Sequence, residues 1–271
     1  MMKSTDKKRR WGIGMDLKFD HIIHYVADMS RFDFPGRVLH TREGGKHTVF
    51  GTENVLSYID LHYIEWLSVY DHEKLKKVVK HGAEKYAFPA AIVEDHFKQG
   101  FKNLCFRTSD IHAVKAELNE RGVETIGPID MQRANRRGET LNWQLLYIQD
   151  TSDTPLDVRP PFIIQWKDDD EVRTASLQQH FHPTLTMAEV YVRTRMRASV
   201  VTAWKKWFGA EVEEKTSEGT VLKLPNDTMR FVIKASEMQR YDTLVIEDST
   251  AEAPYLVRIS GANYRFIPKI D

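Results

Sequence analysis

The chain has 271 residues, enough to bury a sizeable core in one large or two modest domains. Its 39 Lys plus Arg balance 39 Asp plus Glu, which argues against bulk electrostatic capture of nucleic acid or of an anionic membrane. A single cysteine, Cys105, rules out an internal disulfide and suits a reducing, cytoplasmic setting, and no stretch approaches the ~20 apolar residues of a membrane span.

Residues 1–15 read as a disordered tail. Lys7-Lys8-Arg9-Arg10 has no apolar run behind it, which speaks against a secretory signal, and either Met1 or Met15 could be the start. Phe19-Asp20-His21-Ile22-Ile23-His24-Tyr25-Val26 is an apolar run with the character of a strand. Gly44-Gly45-Lys46-His47 reads as a glycine-marked turn, followed by strand-like runs from Val55 to Ile59 and from Tyr63 to Val69. The opening run returns, with the same length and ending, at Phe101 to Asp110, and in a third version at Met187 to Thr194.

Closing strands align as well, at Tyr63 to Trp66, Pro161 to Trp166 and Pro254 to Ile259. Amphipathic helices are expected from Asp110 to Arg121 and from Ala198 to Phe208, ended by Gly122 and Gly209. Trp204, Trp207 and Phe208 on the second helix read as core. In the first copy, Ser30 to Gly36 is short and contains Pro35, so its helix is reduced or lost.

These patterns give an α+β protein of three tandem βαβββ units. Two of them, 16–71 and 100–167, are joined by a helical connector over 72–99 into one domain, 16–167. A solvated acidic linker with a helical turn, over 168–184, follows, then a third, degenerate unit over 185–271.

Residues two apart share a strand face, so Tyr63, Glu65 and Leu67 look one way and His21, Ile23 and Tyr25 look one way. His24 falls on the opposite face, as a satisfied structural histidine. Glu65 is a carboxylate among apolar neighbours on a buried face. It needs a partner there, and burial would suit it to act as a general base. No phosphate loop, nucleophile elbow, His-Glu-x-x-His or Cys-x-x-Cys motif is present.

The Asp20-His21-Ile22 strand, the Gly44-Gly45-x-His47-x-x-x-Gly51-Thr52-x-Asn54 segment and the Tyr63-Ile64-Glu65 strand resemble the vicinal oxygen chelate superfamily, and within it the glyoxalase-like domain proteins. The resemblance implies that paired units close a cup-shaped mixed sheet around a small molecule. It also implies a divalent metal on ligands from the first and last strands, which carries His21 and Glu65 over as ligand-type residues. The aligned positions are Asn103 and Gln165 in the second unit and Glu189 and Arg258 in the third. Amides are weak ligands, so a full four-ligand set is absent.

If the Gly44-Gly45 turn brings His47 inward, His21, His47 and Glu65 make a two-histidine, one-carboxylate face suited to Fe, Mn, Zn, Ni or Co. The alternative is a metal-free cup in which His47 and Glu65 are hydrogen-bonded partners. Thr52, Asn54, Asn103, Arg133, Trp143 and Gln165 are candidate substrate-binding residues. Arg133 and Trp143 belong to a family-like stretch over the cup opening, and Arg136 and Arg137 read as a solvated hairpin tip. Two functions stay open: an enzyme acting on a small oxygenated metabolite, of lyase, isomerase or dioxygenase type, or a metal-free small-molecule binding or sequestering protein. Superfamily members pair units between chains, so a homodimer is a further expectation.

Overall fold

The computed structural model describes residues 15–30, 32–134 and 140–269. The expected tail, apart from Met15, and the hairpin tip with Arg136 and Arg137 lie outside the described residues.

The opening strand of each of the first two units is buried on both faces, as its unbroken apolar run requires: β1 is Lys18–Tyr25 and β5 is Gly100–Arg107. In the first unit β1 is followed by α1 (Asp33–Val38), β2 (Arg42–His47), β3 (Thr52–Ile59) and β4 (His62–Val69). α1 has six residues, in keeping with the reduced helix expected there.

In the second unit β5 is followed by α4 (Ile111–Glu120), β6 (Glu124–Ala134), β7 (Thr140–Gln149) and β8 (Phe162–Trp166). Asp110 caps α4 by accepting from the Ala113 amide, and Gly122 at φ +67° turns the chain out of the helix. β1 lies parallel to β4 and antiparallel to β5, which fuses the two units into one mixed sheet ordered β2-β3-β4-β1-β5-β8-β7-β6. The sheet curls into a cup, so that Arg133 of β6 reaches Asn54 of β3.

Between these units the connector forms α2 (His72–Val78), a 3-10 turn (Gly82–Lys85) and α3 (Ala90–Glu94). Leu75, Ala90 and Ile92 from it pack inside the cup against Ile23, Tyr25 and Leu67. The helical connector expected over 72–99 is therefore also part of the cup's filling.

The linker expectation needs correction. Residues 170–177 form α5 (Asp170–Leu177), capped by Asp169, and Arg173 within it is buried rather than solvated. Asp170 is held by Arg107 of β5, so the acidic run is used for docking.

The region 185–271 is also more than one unit. β9 (Leu185–Thr194), α6 (Arg197–Phe208), β10 (Glu211–Lys215), β11 (Thr220–Lys223) and β12 (Arg230–Ala235) complete a βαβββ unit whose closing strand, β12, runs parallel to β9. β13 (Arg240–Asp248), β14 (Tyr255–Ile259) and β15 (Ala262–Pro268) then form a helix-less partner, with β13 antiparallel to β9 and parallel to β15. Thus 254–259, expected to close the third unit, belongs to this partner. The misreading has a local cause, since β10 to β12 are only four to six residues long and β10 is exposed throughout.

The second sheet is ordered β10-β11-β12-β9-β13-β15-β14. One core joins the outer faces of both sheets: Ile22, Trp66 and Phe106 meet Val190, Leu244 and Tyr264, with Trp204 and Phe208 of α6 between them. His24 sits in this joint, bonded through Nδ1 to the Tyr264 hydroxyl at 2.7 Å and through Nε2 to the Ser260 carbonyl oxygen at 3.2 Å.

Candidate active site

A cavity of about 230 Å³ opens inside the cup of the first sheet, lined by His21, His47, Asn54, Glu65, Arg133 and Trp143 among others. Most of the side chains singled out from the sequence therefore face one space.

His21 and Glu65 come together because β1 and β4 are parallel, with Ile23 opposite Glu65, so both residues fall on the cup face one pleat apart. Asp20 would point the other way in a regular strand. The β1–β5 register slips between Phe19 and His21, and such a bulge re-aims a side chain. Asp20 thus reaches its own neighbour, with Oδ1 2.7 Å from His21 Nδ1, while the imidazole stacks on Tyr63 at 4.4 Å.

A continuous polar line crosses the cavity wall. Arg133 Nη1 donates to Asn54 Oδ1 at 3.0 Å, and Asn54 Nδ2 donates to Glu65 Oε1 at 2.6 Å. Glu65 Oε2 lies 3.5 Å from His21 Nε2, and beyond His21 the Asp20 carboxylate meets Trp166 Nε1 at 3.1 Å and Arg173 Nη1 at 3.4 Å.

The glycine pair makes this line fit, and it does so from within strand β2, not from a turn. A Cβ on Gly44 would sit 1.9 Å from Asn54 Oδ1, and one on Gly45 would sit 2.8 Å from Arg133 Cδ. The Gly45 amide also donates to Asn54 Oδ1 at 2.8 Å. The two missing side chains leave room for the amide and the arginine stem.

Electrostatics separate the histidine and carboxylate roles. Burial lowers the pKa of His47, Glu65 pulls it up and Arg133 lowers it again, for a net depression that keeps the ring neutral near pH 7. Burial by itself would raise the pKa of Asp20, but Arg173, the hydrogen bond from His21 and Arg107 together hold it well below the usual carboxylate range. Thr52 is buried behind the wall and meets His47 Nδ1 at 3.1 Å, so it orients the ring.

Three expected substrate-binding residues do not line the cavity: Thr52, behind its wall, and Gln165 and Asn103. Gln165 is on the far face of β8, where Oε1 accepts from the Ile111 amide and Nε2 donates to the Ser109 carbonyl. Its neighbours Phe162, Ile164 and Trp166 face the cavity instead. Asn103 is buried, accepts from its neighbour's amide at Leu104 and does not line the cavity. Glu189 is ion-paired to Arg230 and Arg258 lies on edge strand β14, so neither builds a second copy of the site.

Among the described residues, the trio with donor atoms within 4.8 Å of one another is Asp20, His21 and Cys105, and not His21, His47 and Glu65. Burial, with Asp20 and Glu65 nearby, pushes the Cys105 thiol far up, and the Asp20 carboxylate is already held by His21, Trp166 and Arg173. The second unit offers Phe162 and Ile164 on its share of the cup. His21 and Glu65 make a two-donor pair, which does not fit a three-ligand protein site.

The family model for the glyoxalase-like domain matches residues 19–208. The chain belongs to that family. The match runs past the expected domain end at 167 and takes in α5, β9 and α6. A solved structure of a hypothetical protein from Staphylococcus aureus is 42% identical, covers 93% of this chain and 100% of its own, and superposes with a TM-score of 0.90. An extradiol ring-cleaving dioxygenase from B. fuscum shares 9% identity over 94% of this chain and 72% of its own, with a TM-score of 0.53, a likeness of fold alone. No curated protein matches. Both the paired units and the cup of this glyoxalase-like chain are those of the vicinal oxygen chelate superfamily.

Arg173 was not among the residues expected at the site, while Tyr63 and Trp166 were expected only as strand residues and Asp20 only as part of a motif. The Asp-His pair in the first strand was the available signal for Asp20. Nothing local marks Arg173.

Proposed function

We propose that this glyoxalase-like protein is an enzyme that moves a proton on a small, anionic, oxygenated metabolite, with Glu65 as the base. The observation that carries the reading is the divided carboxylate of Glu65. Oε1 is held by Asn54, while Oε2 faces the cavity 3.5 Å from His21 Nε2, too far for a good hydrogen bond and open to a bound molecule.

Arg133 supports an anionic group on the substrate. Its guanidinium lines the cavity, held in place by the Nη1 hydrogen bond to Asn54 Oδ1, and suits bidentate bonding to a carboxylate. Phe88, Trp143 and Phe162 give the molecule apolar walls.

In this reading the C–H bond beside a substrate carbonyl breaks and its proton passes to Glu65 Oε2. The electron pair moves onto the carbonyl oxygen, where Arg133 stabilises the enolate. His21, held by Asp20, exchanges the proton with Glu65 and returns it to carbon. Glu65→Gln should lower turnover by ~10²-fold or more while ligand affinity stays within roughly tenfold, or ~1.4 kcal/mol. Turnover that survives the substitution would remove Glu65 from the chemistry.

The rival is a binding protein without turnover. Phe162 and Ile164, where a paired unit could have offered polar groups, favour it. Tight ligand binding with no chemistry in wild-type protein would select that rival.

A further inference from the structure

The start of β1 is clamped from outside its own unit. The Phe19 amide donates to Asp227 of the loop before β12, Arg107 Nη1 donates to the Phe19 carbonyl, and Arg107 Nε donates to Asp170 Oδ1 at 3.0 Å. The next residue is the bulged Asp20, fully buried, with its Oδ2 3.4 Å from Arg173 Nη1. Arg173 is itself more than nine-tenths buried, lies over the Trp166 ring at 4.7 Å and lines the cavity. Its Nη1 makes no hydrogen bond and is 3.6 Å from Asp170, so it holds Asp20 by charge.

We propose that Arg173 is a positioning residue for the Asp20–His21 pair, and that the helix joining the two halves of the chain is therefore part of the site. The proposal rests on the reading of His21 and Glu65 as a proton-transfer pair.

A buried carboxylate needs a counter-charge as well as hydrogen bonds. Trp166 and His21 supply the hydrogen bonds, and Arg173 is the cation nearest Oδ2. With that charge removed, Asp20 has reason to take up a proton or turn away. The His21 ring then loses the partner that aims Nε2 at Glu65. Tyr63 alone, stacked on the ring face, fixes its plane but not its rotation within that plane.

The test is solution NMR of the full chain, reading the imidazole N–H of His21, assigned through His21→Gln. In wild type, a downfield Nδ1–H bonded to Asp20 should exchange slowly with water. In Arg173→Gln its exchange should speed up by about tenfold or more, since the hydrogen bond opens locally. Asp169→Ala, which removes the side chain that caps the same helix through the Val172 amide and leaves the Asp170 ion pairs in place, should leave the resonance near its wild-type behaviour. Unchanged exchange in Arg173→Gln, or equal acceleration in Asp169→Ala, would overturn the proposal.

Should Arg173→Gln fail to fold, Arg173→Met and Arg173→Lys are compared. Fast exchange in Met and slow exchange in Lys supports positioning by charge, and equal exchange in the two contradicts it. No substrate enters this measurement, so its failure leaves the role of Glu65 to be judged by turnover.

Discussion

Gly44 and Gly45 show at single-residue scale how the site depends on absent atoms. Gly44→Ala would drive a methyl into the Asn54 amide, which has no room to retreat while it bridges Glu65 and Arg133. We expect Gly44→Ala to lose ~1–3 kcal/mol of stability and to lose turnover by about tenfold or more, because small displacements at a site are amplified in rate. Gly45→Ala should lose less, because the atom it meets belongs to a flexible arginine stem. A fully active Gly44→Ala would show that the Asn54 bridge is dispensable. The glycines were legible in the sequence as a signal and misread as a turn, since clearance for the side chains of Asn54 and Arg133, on other strands, has no local signature. Gln165 was misplaced for a related reason: a slip of one residue in a strand exchanges its faces.

Among the elements, β1 carries the most. It forms one wall of the cavity and, through His24, part of the joint with the second sheet. Burial lowers the pKa of His24 to about 3, partly offset by its hydrogen bond to Ser260. The folded protein therefore keeps the ring neutral, whereas the unfolded chain takes up a proton once pH falls below the ordinary value of about 6.5. The stability tied to this residue is complete above pH ~6.5 and is lost progressively as pH falls toward 3. In denaturant melts, His24→Gln should lower stability by ~1–3 kcal/mol at pH 7 and flatten the acid limb between pH 6.5 and 4. An acid limb as steep as wild type would contradict the assignment. That β1 is a strand followed from its apolar run, and that His21 and His24 look to opposite faces followed from period-two alternation. Arg173 could not be found that way, because its contact with Asp20 joins positions far apart in the chain and its own surroundings read as a solvated acidic run.

For the whole molecule, the two sheets share one core through α6 and the outer face of β1, β4 and β5. Trp204 is 2% exposed and packs edge-on against Phe106 and Phe231, so Trp204→Ala should cost ~3–5 kcal/mol. A chain cut after residue 184 should lose cooperative unfolding, since it exposes Ile22, Trp66 and Phe106 to water. A sharp thermal transition in that fragment would show the first sheet to be self-sufficient. The repeat pattern made the paired units of the first sheet visible in the sequence. The helix-less fourth unit stayed hidden, because the strand alignment joined the opening run at Met187 to the closing run at Pro254 and so took two units for one.

Proton exchange in D2O, followed by NMR on small oxo-carboxylic acids, tests Glu65 as the base most directly. Wild-type protein should wash deuterium into the carbon beside the carbonyl of at least one such acid, and Glu65→Gln should slow this by ~10²-fold or more. Exchange that is undiminished in Glu65→Gln, or absent from wild type across the whole set, would contradict a proton-transfer site at Glu65.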